Sequence, residues 1–498
     1  MVIDGETLTS TLSRKTLGNA GILTLGAAIE SVLQFVFLVI AGRQLGPEEF
    51  GFYGYILSIV TFAVAAAHFG LPVISVREMA QRPADETRVF AATFRIRATL
   101  SLLFFVGALV ASFVAPLTPI HRTALWLMFV YLLFLPFDLS LLFDARKMSR
   151  WDVPGKLAGR VVSVGLLLLL WWARGSITVA DVALCTSLVM VFNAVVGWQV
   201  ARRLGLPLHP FARTDETAKL ARISTPILWS NLMTTTYSQS LTILVKAFSS
   251  ALETGFYALA NRLLLPVLIV KGILYRLFLP IVSEVGMDRE ALTARVERIL
   301  SVLALIFMPA VALGIPTAEV IIVPLFGPQY AGAVLPFQVG ISVLFFTGLG
   351  STFGTALLGS GDTRTPTIGL TIGTALSVLL CLLLIPHLGA TGAAWAAWIG
   401  EMVAVLYTLP KFLKLCHPKI MGRLVRLGVT SLCGAATYYI LQRALGISAV
   451  VSLAAAVVVV VVGLRIVGEI SPSRLRAVLS LVKKPAPKAT VADDSSTL

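Results

Sequence analysis

The chain has 498 residues, of which 57% are hydrophobic and only 13% are charged. Soluble domains carry about 25% charged residues, so this composition excludes an ordinary soluble protein and indicates a membrane protein. The formal net charge is +15, but the basic residues concentrate in alternate connections, which indicates membrane orientation and not nucleic-acid binding.

Fourteen apolar segments follow one another along the chain, separated by short polar connections. A membrane-spanning helix takes about 20 apolar residues, so each segment is predicted to be one transmembrane helix; we call them spans 1 to 14. The segments cover 17–41, 52–76, 98–118, 123–143, 157–173, 178–200, 224–247, 255–283, 299–325, 332–358, 366–386, 390–410, 424–442 and 447–468. The sequence therefore predicts an all-α polytopic membrane protein of about fourteen transmembrane helices.

Basic residues distinguish the two sides of the membrane. They cluster in the connections after spans 2, 4, 6 and 12, whereas connections of the other parity carry one or none. The clustered residues are Arg77, Arg82, Arg88, Arg95, Arg97, Arg146, Lys147, Arg150, Lys156, Arg160, Arg202, Arg203, Arg213, Lys219, Arg222, Lys411, Lys414, Lys419, Arg423 and Arg426. Because Lys and Arg in short loops stay cytoplasmic, the N-terminal 1–16 and the basic tail 471–498 are both predicted to be cytoplasmic, in a bacterial inner (plasma) membrane.

An internal repeat divides most of the chain into two copies. Residues 49–53 (Glu-Phe-Gly-Phe-Tyr) follow span 1, and residues 253–257 (Glu-Thr-Gly-Phe-Tyr) follow span 7, 204 positions later. A Leu-Pro pair at 71–72 has a counterpart at 279–280. Two pseudo-symmetric six-helix lobes in the same orientation are therefore predicted, with two extra helices after them. The predicted boundaries are 17–203, 217–414 and 423–470.

Motifs of covalent chemistry are missing from the sequence. It contains no GxxxxGK[ST] phosphate loop, no HExxH and no G-x-S-x-G elbow, so neither an enzyme, a cofactor nor a metal site is predicted. His68 lies within span 2, where a packed or hydrogen-bonded histidine is the first interpretation and a proton relay the alternative.

A polar stripe runs along span 7. Ser224, Asn231, Thr235, Gln239, Thr242 and Lys246 recur at intervals of seven, four, four, three and four residues. These intervals place all six on one helix face. Facing lipid would be costly, so the stripe is predicted to line a cavity that binds substrate, with interhelical hydrogen bonding as the alternative.

Ionisable residues inside other spans are further candidates, because each costs roughly 2.5–3.5 kcal/mol at the centre of a transmembrane helix. Span 8 carries Arg262, Lys271 and Arg276. They are predicted to bind an anionic substrate, although Arg262 and Arg276 lie near the span ends and snorkelling is the alternative. Glu30 and Gln34 in span 1 are the predicted coupling residues, with a proton or sodium as the ion; Glu30 could equally pair with a cation of the other lobe.

Two further acids receive a structural interpretation. Asp138 follows Pro136 in span 4, and Glu401 lies in span 12. Both are predicted to support the fold and not to bind substrate.

Glycine and proline turn patterns across the chain carry a family resemblance. The stretch Asn19–Val73 resembles the opening of the Wzx-type oligosaccharide flippases, above all at 43–51 (Arg-Gln-Leu-Gly-Pro-Glu-Glu-Phe-Gly). Further similar positions are Pro226, 325–328 (Leu-Phe-Gly-Pro), 356–359 (Ala-Leu-Leu-Gly) and 384–390 (Leu-Ile-Pro-His-Leu-Gly-Ala). The resemblance departs at Gln239, where many such chains have an aspartate.

The resemblance implies membership of the superfamily that also holds the MurJ lipid II flippases and the MATE exporters. It implies two six-helix lobes around a central cavity and alternating access. The implied activity moves a polyprenyl-diphosphate-linked oligosaccharide to the outer leaflet for O-antigen, capsule or exopolysaccharide. Implied partners are this lipid-linked oligosaccharide, membrane lipids, a polysaccharide polymerase and glycosyltransferases.

Three alternative functions remain open at this point. A MATE-like drug or metabolite exporter fits poorly, because its substrates are often cations whereas the predicted cavity is basic. A lipid II flippase would carry an arginine cluster in span 1, which this chain lacks. A third alternative is a non-transporting scaffold of a polysaccharide assembly complex, and only the polar lining of the predicted cavity argues against it.

Overall fold

A computed structural model describes residues 5–206, 208–266 and 289–468, with side chains from residue 21 onward except that of Tyr237. All regular structure in these ranges is helical. The helices are α1 (Gly5–His68), α2 (Leu71–Gln81), α3 (Glu86–Val114), α4 (Pro119–Phe134), α5 (Ser140–Ala145), α6 (Val153–Arg174), α7 (Val179–Arg203), α8 (Glu216–Phe248), α9 (251–266), α10 (Arg289–Phe326), α11 (Val334–Gly359), α12 (Arg364–Leu415), α13 (Met421–Tyr439) and α14 (Ala449–Ile466).

Two of the longest helices are each two spans joined end to end. In α1 the backbone leaves helical geometry at Gly46 (φ 71°), and in α12 it does so at Gly389 (φ 52°). Both angles lie in the left-handed region that glycine adopts without steric cost. Pro47 follows the first break, where the missing backbone N–H of proline is tolerated in the first turn of the next helix. Both breaks fall between apolar segments that the sequence separates.

The described helices agree with a multi-pass membrane protein. Ten helical segments, some of which combine two consecutive helices, are long and apolar enough to cross a bilayer. Dividing two of these segments at Gly46 and Gly389 gives twelve. The polar α8 and the start of α9 lie where spans 7 and 8 are predicted. The count of fourteen stays a prediction, because part of predicted span 8 lies outside the described residues.

The outer surface of the molecule is apolar. Trp172 is 85% exposed, Val114 82% and Ile466 80%. Large exposed apolar patches are rare on soluble monomers but are required where helices face lipid tails. Burial in this protein is therefore carried by small and polar contacts between helices as well as by apolar packing.

The chain forms two compact units. The first contains the described residues up to Leu259 together with Ile322–Ala333 and Cys381–Ala393; the second contains Ala260–Ile321, Val334–Leu380 and the remainder from Ala394. This division does not test the predicted boundaries of the two six-helix lobes, which stay a prediction.

Within the second unit, α13 and α14 pack on each other and on α10. Leu427 of α13 and Val460 and Leu464 of α14 form a buried cluster with Ala304 of α10. A Cβ on Gly434 would approach the Ala456 carbonyl to 3.1 Å, so the two helices meet with little space between their backbones. The two extra helices are thus integrated into the second unit.

Candidate functional site

The predicted polar stripe lies on α8, which is continuous from Glu216 to Phe248. At 33 residues and 1.5 Å per residue, α8 is about 50 Å long, which exceeds the roughly 30 Å thickness of the hydrocarbon core of a bilayer. Asn231, Thr235, Gln239 and Lys246 are partly buried, whereas Ser224 and Thr242 are buried.

Hydrogen bonds of the stripe run along its own helix. Gln239 Nε2 donates to Ser238 Oγ at 3.3 Å, and Ser238 Oγ donates to the Thr235 carbonyl at 3.1 Å. Among the described residues, no hydrogen bond joins Asn231, Gln239 or Lys246 to another helix. The substrate-binding cavity and its alternative, interhelical hydrogen bonding, both stay predictions for the stripe.

The predicted cations are distributed over both units. Lys246 belongs to the first unit, and the partly buried Arg262 of α9 belongs to the second. Lys271 and Arg276 lie outside the described residues. A shared anion site of these side chains therefore stays a prediction.

Glu30 and Gln34 meet the same arginine. Arg160 Nη2 lies 3.8 Å from Glu30 Oε1 and donates to Gln34 Oε1 at 3.4 Å. The Arg160 side chain is 14% exposed, and its Nε is buried without a hydrogen-bond partner in the described part of the chain. Among the described residues, the cation beside Glu30 thus comes from α6; the coupling role stays a prediction.

Arg97 and Arg160, counted among the basic residues of polar connections, both lie inside helices. Arg97 lies in α3 and is 1% exposed; Arg160 lies in α6. α3 begins at Glu86, before the apolar segment 98–118, and so includes Arg97, whereas Arg160 lies within the apolar segment 157–173 itself. The orientation argument from loop charge therefore includes two arginines that lie within helices and pair with acidic residues there.

Span 4 is broken at its proline. After α4 a single tight turn covers Leu135–Phe137, Asp138 is extended, and the short α5 follows. The carbonyls freed by this break are bonded: Trp198 Nε1 donates to Phe137 at 2.9 Å, and Arg97 Nη1 donates to Asp138 at 3.2 Å. Non-helical backbone at membrane depth is tolerated where protein satisfies it in this way.

The Asp138 carboxylate is the centre of a buried cluster. Its Oδ1 accepts from Ser140 N at 3.1 Å and from Asn193 Nδ2 at 3.3 Å. Its Oδ2 accepts from Ser140 Oγ at 2.8 Å and from Arg97 Nη2 at 3.5 Å. Asp138 thus joins α3, α7 and the break of span 4, which agrees with the structural interpretation of this acid.

His68 completes this cluster from span 2, which is also broken. His68 is the last residue of α1, and its Nδ1 lies 3.4 Å from Arg97 Nη2. The next residues, Phe69 and Gly70, have φ of 51° and 72°, and Gly70 precedes α2. We call Phe69–Gly70 the elbow. Pro72 in the first turn of α2 needs no N–H partner, so it favours a new helix start here.

Sequence signals for this cluster exist but are individually weak. The breaks of spans 2 and 4 fall at Gly-Leu-Pro and Leu-Pro-Phe within otherwise apolar runs, so a hydropathy profile shows no interruption at either break. A proline inside each apolar run was the available signal. The ion pair itself needed the fold, because Arg97 and Asp138 are far apart in sequence.

Comparison with known proteins identifies the family. Residues 16–285, more than half of the chain, match the family model described as polysaccharide biosynthesis protein. The chain belongs to this family. The Wzx-type resemblance of its turn motifs is thereby confirmed. A curated relative, the succinoglycan biosynthesis transport protein ExoT of Rhizobium meliloti (strain 1021), is 25% identical over 342 residues, which are 66% of this chain and 66% of that protein.

Solved structures of transporters share the fold. The inward closed conformation of the lipid II flippase MurJ superposes with a TM-score of 0.69 at 13% identity, covering 89% of this chain and 98% of MurJ. An inward-facing multidrug resistance MATE transporter of the MOP superfamily gives 0.64 at 17% identity, covering 80% and 96%. The predicted all-α polytopic fold is confirmed.

Proposed function

We propose that the protein is a flippase that moves a polyprenyl-diphosphate-linked oligosaccharide from the cytoplasmic to the outer leaflet of the inner membrane by alternating access. The surface polymer it serves is an O-antigen, a capsule or an exopolysaccharide. The observation that carries the proposal is the family match over residues 16–285. The relative from Rhizobium meliloti, a succinoglycan biosynthesis transport protein, supports the same substrate class.

The polar stripe of α8 supports a hydrophilic cargo. Among the described residues, the hydrogen bonds of Gln239 stay within α8, which leaves donors and acceptors of the stripe for the hydroxyl groups of a sugar. Gln239 and Asn231 offer amide groups that both donate and accept. In this proposal the oligosaccharide contacts the stripe while the polyprenyl tail stays in lipid.

Basic side chains suit the diphosphate. Lys and Arg form charge-assisted hydrogen bonds with phosphate oxygens, and Arg262 and Lys246 lie on the two helices that follow one another at the start of the second repeat. Lys271 and Arg276 are proposed for the same anion. Glu30 and Gln34 are proposed to couple transport to a proton or sodium ion, and the polymerase and glycosyltransferases of the same polymer are the proposed protein partners.

Deletion and lipid analysis test this function. Lipids extracted from cells with and without the protein are compared by mass spectrometry, alongside surface polymer. Accumulation of a complete polyprenyl-diphosphate-linked repeat unit with loss of surface polymer, both reversed by the wild-type gene, is expected. Unchanged lipid intermediates and intact polymer in the deletion strain would contradict the proposal.

A further inference from the structure

The elbow of span 2 connects the buried cluster to α8. A Cβ on Gly70 would lie 2.7 Å from the Ser224 carbonyl and 2.9 Å from the Leu228 nitrogen. The elbow therefore sits against the α8 backbone with no room for a side chain. A displacement of the elbow toward α8 must therefore displace this part of α8, the helix that carries the polar stripe.

His68 has a defined protonation state in this arrangement. A guanidinium carries donors only, so His68 Nδ1 accepts from Arg97 Nη2 at 3.4 Å and the ring proton is on Nε2. A second proton on Nδ1 would turn this acceptor into a donor facing a donor. It would also place two cations beside the single carboxylate of Asp138.

The cluster has little capacity to absorb that charge. Asp138 already accepts from Ser140, Asn193 and Arg97, and Arg97 Nε is buried without a partner among the described residues. Protonated His68 and Arg97 therefore compete for Asp138, and one of them must withdraw. Arg97 is 1% exposed inside α3, whereas His68 is partly exposed and ends its helix at the elbow, so His68 is the mobile partner.

Arg97 and Asp138 are the charged groups that interact electrostatically with His68; other charged groups interact with members of the cluster. Tyr131 of α4 interacts electrostatically with Arg97 and Asp138, and Lys156 and Arg160 of α6 interact with Tyr131. Asp152, at the start of α6, interacts with Asp138. The α8 residues against the elbow, Ser224, Ile227 and Leu228, are uncharged. Arg97 and Asp138 are thus the charges that a proton on His68 meets first.

We propose that His68 is a proton-binding residue of the transport cycle, positioned by Arg97 and Asp138, and that its protonation moves the Phe69–Gly70 elbow and with it α8. This inference rests on the proposed transport function. The proton adds to Nδ1 of the neutral imidazole and leaves from the same nitrogen. Phe69, a non-glycine residue in the left-handed region, is held there only by its surroundings, which makes the elbow the segment that responds.

A distance measurement across the elbow tests the proposal without any cargo. Spin labels are attached to the double variant Val73→Cys/Trp229→Cys of the full-length purified protein, in a Cys433→Ser background because Cys433 is the exposed native cysteine among those described. Val73 and Trp229 are 59% and 65% exposed, so both accept labels. Electron–electron distances are recorded from pH 8 to pH 5.

The expected result is a distance distribution that shifts on acidification and stays fixed at its pH 8 form in His68→Gln, whose amide still accepts from Arg97 but does not titrate. His209→Gln is the matched control, since His209 is an exposed histidine of the same unit, and it should shift like the parent. If His68→Gln fails to fold, His68→Asn replaces it. A parent distribution independent of pH, or a His68→Gln protein that shifts like the parent, would overturn the proposal. Failure of the flippase function would appear separately, as normal surface polymer in the deletion strain.

Discussion

Gly51 and Gly255, at equivalent positions of the two sequence repeats, pack against each other's backbone segments. A Cβ on Gly51 would overlap the carbonyl of Ala251, and a Cβ on Gly255 would overlap the carbonyl of Pro47. Glu253, two residues before Gly255, accepts from the backbone N–H of Ala390 at 2.7 Å beside the Gly389 break. The repeated motif therefore brings the helix breaks at Gly46 and Gly389 close to the start of α9, through backbone contacts that only glycine permits at Gly51 and Gly255.

Alanine at these glycines should destabilise the protein. Gly255→Ala introduces a methyl group where a carbonyl already lies, and overpacking of this kind costs about 1–3 kcal/mol. Thermal unfolding of the purified protein should show the loss for Gly51→Ala and Gly255→Ala. Gly107→Ala is the control, because no atom lies within 4 Å of its added Cβ; an equal loss in the control would contradict the packing argument.

Breaking the buried ion pair should cost more than breaking an exposed one. Asp138→Asn leaves the Arg97 charge buried without its carboxylate, which costs about 3–5 kcal/mol. Asp362→Asn removes the carboxylate that lies 3.1 Å from Lys411 Nζ, and the Lys411 side chain is 61% exposed. Exposed pairs contribute about 0–1 kcal/mol. Unfolding midpoints and membrane abundance check this order, and a mild Asp138→Asn phenotype would show that the cluster is not a stabilising pair.

Asp362 should not contribute to pH dependence between pH 5 and 8. Hydrogen bonds from Thr365, with Lys411 nearby, lower the pKa of the Asp362 carboxyl from 3.8 to about 2. A lowered folded-state pKa gives stability that is present above 3.8 and lost as the pH falls toward 2. The pH profile of Asp362→Asn from pH 5 to 8 should therefore run parallel to that of the wild type. A change of slope in that window would refute the assignment.

Arg262 should be required for export and not for folding. If it binds diphosphate, Arg262→Ala abolishes surface polymer while membrane abundance stays normal, and Arg262→Lys retains part of the activity because a lysine still contacts phosphate as a point charge. Arg174→Ala is the control, since Arg174, the last residue of α6, is 59% exposed and pairs with Asp181 of α7. Normal polymer in Arg262→Ala would remove this residue from the mechanism.

Export should depend on the side chains of the polar stripe and not on the side chains of the other faces of α8. Gln239→Leu and Asn231→Leu should each reduce export about tenfold or more, equivalent to about 1.4 kcal/mol, without loss of folded protein. Thr234→Val changes a residue on another face, whose hydroxyl donates to its own helix at the Ser230 carbonyl. Export assays on the three variants decide, and equal effects at all three positions would speak against a substrate-facing stripe.

The order of helices follows from the sequence because apolar length and turn glycines are local signals. The breaks at Gly46 and Gly389 fall between separate apolar segments for this reason. The breaks at the elbow and at Pro136 were not predicted, because apolar residues on both sides hide a change of backbone direction. The pairs Arg97 with Asp138 and Arg160 with Glu30 needed the packing of distant helices. Residues on one continuous helix, such as the stripe of α8, were within reach of spacing alone.

Transbilayer movement by the purified protein is the most direct measurement of the central claim. Lipid-linked oligosaccharide isolated from a deletion strain is incorporated into proteoliposomes, and its accessibility to a membrane-impermeant glycosidase is followed over time. Wild-type protein should make nearly all of the lipid accessible, whereas Arg262→Ala vesicles should stop at the outer-leaflet half. Accessibility in wild-type vesicles that equals protein-free liposomes would contradict the flippase.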